Sequence, residues 1–233
     1  MERILDVHIE KLRKRLIKMC SLVDEQVDLS IKAIEDENLE LANEVIERDK
    51  KVDKYDVKIE KMCQKIFALN QPVAMDLRLI MSAITMDTNL ERIGDIAVNM
   101  AEHYIEMGKK PSFFNKTKFD EMAELSRFMI KYSIDAFVDG SAELARKVIE
   151  SDDKMDNLYA DNRKILIDIM KEEKENIEPA VALLGISRQM ERLGDLTTNI
   201  AEDVYFIVEA QVIKHKYEKY LFSDDDEGED SEN

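Results

Sequence analysis

Apolar residues at Leu5, Ile9, Leu12, Leu16, Met19, Val23, Val27 and Ile31 recur at intervals of three and four, the spacing of one buried face of an α-helix. The pattern predicts a first helix from roughly Glu2 to Asp36. Asn38 is placed to cap a second, which runs to about Leu69 and is broken by Asn70, Gln71 and Pro72. Proline suits a first helical turn, so a third helix is expected to open at Pro72 and reach about Met107. Gly108-Lys109-Lys110-Pro111-Ser112 then reads as a linker. The plan repeats with helices from about Thr117 to Val138, from about Ser141 to Glu173, and from near Pro179 to about Tyr220. Long antiparallel helices joined by short loops make bundles, so the expected fold is all-α: two tandem three-helix bundles, over residues 1–108 and 113–220.

The two halves are copies. The line ERIGDIAVNMAE, Glu91 to Glu102, returns as ERLGDLTTNIAE, Glu191 to Glu202, with seven of twelve positions identical. Leu41-Ala-Asn-Glu-Val-Ile-Glu-Arg-Asp49, followed by Asp53, returns as Leu144-Ala-Arg-Lys-Val-Ile-Glu-Ser-Asp152, followed by Asp156. The second offset is three residues longer, which places a deletion in the loop around Lys174 to Pro179. A period near one hundred residues is too long for a solenoid and suits fused domains.

Composition narrows the function. Only six Gly and three Pro occur, charged residues reach 36% and Trp is absent, the usage of a nearly all-helical chain. Of the net charge of −17, seven units lie in the tail after Ser223, which is expected to be a disordered acidic end over residues 221–233. The remaining acidity argues against nucleic acid as a ligand. No apolar run reaches a membrane span, and Met1 to Cys20 has no secretory h-region. A cytoplasmic location is therefore expected, with any membrane link made through a protein partner. Cys20 and Cys63 read as ordinary thiols.

The candidate chemistry lies on the repeated lines. Asp49 and Asp53 are one turn apart on the second helix, and Glu91 and Asp95 one turn apart on the third, so antiparallel packing would face two carboxylate pairs. Asp152, Asp156, Glu191 and Asp195 offer the same arrangement in the second copy, and Asn99 and Asn199 continue the stripes. Facing pairs must take up protons or bind a cation. All-oxygen donors favour a hard ion such as iron, manganese, magnesium or calcium, with zinc also admissible. A single E-x-x-x-D pair is most often a solvated face; its retention in both halves is what raises metal binding above that default. Gly94 and Gly194, each costing about 1 kcal/mol against Ala, read as points of close helix approach. Arg92 and Arg192 read as surface ion pairs, the thirteen Met as core filling, and His8, His103 and His215 as non-ligands.

The duplicated E-R-x-G-D-x-x-x-N-x-A-E and V-I-E-x-D-x-x-x-D lines, with Pro72 and Asp76-Leu77-Arg78, resemble the PhoU proteins, accessory regulators of bacterial phosphate uptake. The resemblance runs from about Leu5 to Tyr217. It implies two three-helix bundles, no catalysis, and iron or zinc held by the carboxylates named above. It further implies negative regulation through the sensor histidine kinase and the ATPase subunit of the phosphate ABC transporter, at the inner membrane. A homodimer is compatible with it. Three other readings compete. One is a helical accessory protein of a different phosphate transporter, and another is a plain adaptor without metal. The third, a carboxylate-bundle metal store, lacks the Glu-x-x-His pairs that such chemistry uses. The copies differ at Asp87, whose counterpart is Ser187, and at Thr88, replaced by Arg188, so the first site is expected to hold metal at least as tightly as the second.

Overall fold

The computed structural model describes residues 3–213, which form seven α-helices and two short 3-10 turns, with no strand among them. The helices are α1 (Ile4–Glu35), α2 (Leu39–Asn70), α3 (Ala74–Met107), α4 (Phe119–Asp139), α5 (Ala142–Ile149), α6 (Asp152–Glu172) and α7 (Ile177–Glu209). The caps follow the duplication. The Asn38 side chain accepts from the Leu41 amide at 3.0 Å, and Ser141, its counterpart, accepts from the Leu144 amide at 3.3 Å.

The structure departs from the sequence reading at three places. The fifth predicted helix is two, α5 and α6, divided at Glu150 and Ser151. Ser151 stands where the first copy has Arg48; its hydroxyl donates back to the Lys147 carbonyl at 2.7 Å and its amide to the Val148 carbonyl at 3.0 Å. Such back-bonding competes with the helical ladder and bends it. Arg48 instead reaches outward to Glu25 and Glu44, and α2 runs unbroken. Pro72 lies in the α2–α3 turn rather than in the helix, between Val73 in an extended cap and Gln71 at φ 42°. The last helix stops at Glu209, where Ala210 takes a left-handed φ of 59°. The predicted extension toward Tyr220 beyond residue 213, and the acidic tail, lie outside the described residues.

Helices α1, α2 and α3 pack on one another, as do α4, the α5–α6 pair and α7. The most extensive contact between helices joins the two bundles, α3 against α7. It is antiparallel and pseudo-two-fold: Thr85 donates to Asp203 at 2.6 Å near one end, while at the other the counterparts His103 and Gly185 press together. One continuous apolar core, from Leu12 through Tyr205, runs through both bundles.

Within each bundle the glycine of the repeated line sets the distance between the second and third helices. A Cβ on Gly94 would stand 3.1 Å from Asp49 Oδ1 and 3.3 Å from Val52, and one on Gly194 would stand 3.1 Å from Met155, the counterpart of Val52. Close packing is thus what both glycines serve.

A second tie joins the bundles through α1 and α4. Arg127 donates to Asp28 at 2.9 Å and forms a two-pronged pair with Glu35 at 2.8 and 2.7 Å, all three half-buried. Bidentate arginine pairs are the stronger kind of ion pair. Arg127→Ala is expected to cost about 1–2 kcal/mol. Thermal denaturation would read this as a fall in Tm of a few degrees that shrinks at high salt.

Candidate functional site

Asp49, Asp53, Asp56 and Glu60 fall at steps of four, three and four on α2, one stripe of the helix. Asp87, Glu91 and Asp95 fall at steps of four on α3. Because α2 and α3 run antiparallel and Gly94 lets them approach, the stripes face each other. Asp49 is fixed by the Gln26 side chain, whose amide donates to Oδ1 at 2.9 Å and also reaches the Gly94 carbonyl at 3.3 Å.

Across the seam the carboxylates raise one another's proton affinity. Burial raises the Asp49 carboxyl above its ordinary range, Gln26 opposes this, and the charges of Asp53 and Asp95 add to it. Burial likewise raises Glu91, with further contributions from Asp95, Asp56, Asp49 and Asp53. Asp56 is raised by burial and then by Glu60 and Asp53. Asp87 is the extreme: only 3% exposed, it is pushed to about 8, first by burial and then by Asp56, Glu60 and Glu91. Its Oδ1 is buried without any hydrogen-bond partner.

The second copy brings Asp152, Asp156, Glu191 and Asp195 together in the same way but in a milder field. Burial raises Asp152, and the Thr198 hydroxyl, donating to Oδ1 at 3.2 Å, opposes this. Burial also raises Glu191 and Asp195, reinforced by their carboxylate neighbours, while Arg192 counters both and Arg188 counters Glu191. Where Gln26 steadies the first aspartate from α1, its counterpart Met129 cannot, and Thr198 on α7 takes over the task.

Asn199 lies elsewhere, in a groove of about 270 Å³ between α3 and α7 with Thr85, Thr88, Asn89, Arg92 and Asp203. Asn99 is half-buried on α3. Arg92 and Arg192 are exposed and, among the described residues, make no ion pair, contrary to the surface pairing expected for them. His8 meets Asn70 at 3.0 Å and His103 packs on Gly185, so neither joins a carboxylate cluster; His215 lies outside the described residues. Cys20 and Cys63 are buried free thiols, both pushed up to about 12 by burial. Asp56 and Glu60, outside the repeated lines, continue the Asp49–Asp53 spacing and are legible from it, whereas Gln26 and Thr198 carry no such signal.

An all-carboxylate donor set, crowded by like charge and half withdrawn from water, is chemically suited to a hard cation. Among the described residues no three Asp, Glu, His or Cys side chains converge as a ligand set.

The raised Asp87 fixes a pH dependence. Below about pH 4 its carboxyl is protonated in the folded and unfolded chain alike. Above that the unfolded chain releases the proton while the folded chain keeps it to about pH 8. Stability attributable to this group therefore falls as pH rises across that window. In buffer containing a chelator, Asp87→Asn is expected to flatten the fall and to raise Tm by several degrees at pH 8.5, with little change at pH 5; calorimetry at the two pH values checks it.

Comparison with known proteins matches this architecture. The PhoU domain profile fits the chain twice, at residues 16–103 and 119–204. The chain is 36% identical over 211 residues to the phosphate-specific transport system accessory protein PhoU homolog of Aquifex aeolicus, covering 91% of this chain and 96% of the relative. It is 32% identical over 227 residues to the accessory protein PhoU of Serratia marcescens, covering 94% and 92%. The crystal structure of PhoU from Pseudomonas aeruginosa superposes with a TM-score of 0.85 at 31% identity, over 88% of this chain and 99% of that one. A PhoU structure from Streptococcus pneumoniae, at 24% identity and TM-score 0.82 over 91% of this chain, shares the fold. Two matched domains, each holding a glycine-spaced pair of carboxylate stripes, establish that the chain belongs to the PhoU family.

Proposed function

We propose that this chain is a negative regulator of phosphate uptake and of the phosphate-starvation response. It acts as a metal-loaded adaptor between the ATPase subunit of the phosphate ABC transporter and the sensor histidine kinase. Its relatives are named as accessory proteins of the phosphate-specific transport system. The observation that carries the metal part of the reading is the duplicated facing of carboxylates, Asp49, Asp53, Glu91 and Asp95 in one bundle and Asp152, Asp156, Glu191 and Asp195 in the other. Asn99, further along α3, would lend an auxiliary oxygen donor, whereas Asn199, in the α3–α7 groove, stands apart from the second seam. Iron fits this donor set best, with zinc, manganese or magnesium as substitutes.

The reading is non-catalytic. No helix among the described residues is long and apolar enough to cross a membrane, so contact with the inner membrane would come from the cytoplasmic side through the transporter and the kinase. Loading a carboxylate cluster changes local charge by several units. Within a Debye length of roughly 8 Å, this alters the docking of a partner on the same face.

Protein purified without a chelating tag is expected to contain metal by elemental analysis. The quadruple variant Glu91→Ala, Asp95→Ala, Glu191→Ala, Asp195→Ala should lose it, and its capture of the transporter ATPase and the kinase should weaken by tenfold or more. Metal loss with unchanged partner capture would separate the cluster from regulation. Metal-free native protein prepared from metal-replete cells would leave a plain adaptor. Between the halves, the pair Glu91→Ala, Asp95→Ala should release at least as much bound metal as Glu191→Ala, Asp195→Ala.

A further inference from the structure

We propose that the first bundle carries an additional subsite for a hard divalent cation, formed by Asp56, Glu60, Asp87 and Glu91 about two turns along the α2–α3 seam from Asp49 and Asp95, and that the second bundle lacks it. The proposal rests on the reading that facing carboxylates in this fold hold metal, and extends it to residues outside the repeated lines.

The first observation is Asp87 itself. It is 3% exposed, one of its carboxyl oxygens has no hydrogen-bond partner, and the charged groups that face it are the carboxylates of Asp56, Glu60 and Glu91. The Cys63 thiol lies close enough to feel its charge. Buried polar atoms are nearly always satisfied, and an orphaned one costs about 1–3 kcal/mol. A structural carboxyl would be expected to have an arginine, an amide or a hydroxyl aimed at it. Here the groups that face it are further acids: Asp56 shares a side-chain hydrogen bond with it, and Oδ1 is still left without a partner, an arrangement for which a cation is the fitting counterpart.

The second observation is that the other half of the molecule serves as a control. At the three corresponding positions it has Tyr159, Arg163 and Ser187 in place of Asp56, Glu60 and Asp87. The polar groups there satisfy one another. Buried Asn162 donates to the Ser187 hydroxyl at 2.7 Å and accepts from the Lys118 amide at 2.8 Å, and Ser187 donates to the Leu183 carbonyl at 2.8 Å. The same backbone position is therefore closed by internal hydrogen bonds in one copy and, in the other, left acidic with one buried carboxyl oxygen unpartnered. Four carboxylates make up the donor set, and the neighbouring Cys63 thiol is pushed up to about 12 and so stays protonated, which favours manganese, magnesium, calcium or ferrous iron over thiolate-seeking ions.

The test counts ions. Full-length protein freed of metal by chelator and dialysis is titrated with Mn2+, and free ion is followed by electron paramagnetic resonance. Asp87→Ser is the main variant, since serine is the residue the second copy tolerates at this position; circular dichroism and Tm in chelator verify its fold. Wild type is expected to bind one more Mn2+ than Asp87→Ser at saturation. The double variant Asp49→Asn, Asp95→Asn should keep that additional ion. Equal stoichiometry and affinity for wild type and Asp87→Ser would overturn the subsite, leaving Asp87 as a buried protonated acid, while the sites of the repeated lines stand. Loss of the ion in Asp87→Ser together with unchanged binding in both Asp49→Asn, Asp95→Asn and Glu191→Ala, Asp195→Ala would support the subsite and sink the reading of the repeated lines. No Mn2+ bound by wild type would overturn both.

Discussion

The close approach of the second and third helices in each bundle governs both the architecture and the chemistry of this protein. Gly94 and Gly194 each sit where a Cβ would press 3.1 Å from a side-chain atom of the facing helix, Asp49 in one copy and Met155 in the other. A helix interior loses about 1 kcal/mol for each such glycine. What is gained is a seam narrow enough that carboxylates on α2 feel those on α3, which a wider helix spacing would leave to be screened by water. The acidic stripes are thus a consequence of packing as well as of composition.

The same third helices also join the halves. α3 and α7 cross antiparallel, and the contacts at the two ends have diverged: a Thr85 hydroxyl on Asp203 at one, an imidazole packed over Gly185 at the other. Duplication supplied the pseudo-two-fold axis, and side-chain substitution then specialised its ends. Arg127, clamped between Asp28 and Glu35, adds a tie of a different kind, directional and electrostatic, across α1 and α4. One face of α3 is thus held to α7 while another borders α2, so the carboxylate stripe is mounted on a helix fixed from two sides. A rigid mounting of this kind holds the geometry of a site.

Much of this was readable from the chain because helical periodicity and internal repetition are strong signals. The 3- and 4-residue spacing located the helices, Asn38 announced its cap, and the repeated glycines announced close packing. The break at Ser151 was not readable, because its cause is one hydroxyl choosing the Lys147 carbonyl over solvent, a competition that a periodicity leaves undecided. Pro72 was misplaced for a related reason: proline favours a helix start and a turn alike, and Gln71 at positive φ decided for the turn. In the site, pairing was readable within each motif, but the donors that steady it were not. Gln26 and Thr198 lie on different helices in the two copies, and neither falls within the motif it serves.

The asymmetry of the two copies follows from a few substitutions. Asp56 and Glu60 extend the first seam by about two turns on α2 and Asp87 by about one on α3, whereas Tyr159, Arg163 and Ser187 close the second, and Arg188 and Arg192 soften its field. Like charges held near one another in a half-buried seam raise one another's proton affinity, and the effect grows with each member added. The first bundle therefore carries the steeper electrostatic response to anything that neutralises it, proton or cation. On the proposed reading, that concentrates the response to metal loading in one half and leaves the other as the steadier surface. A duplicated fold can hold both roles because each bundle has its own seam, and substitutions in one stripe leave the glycine-set spacing of the other intact.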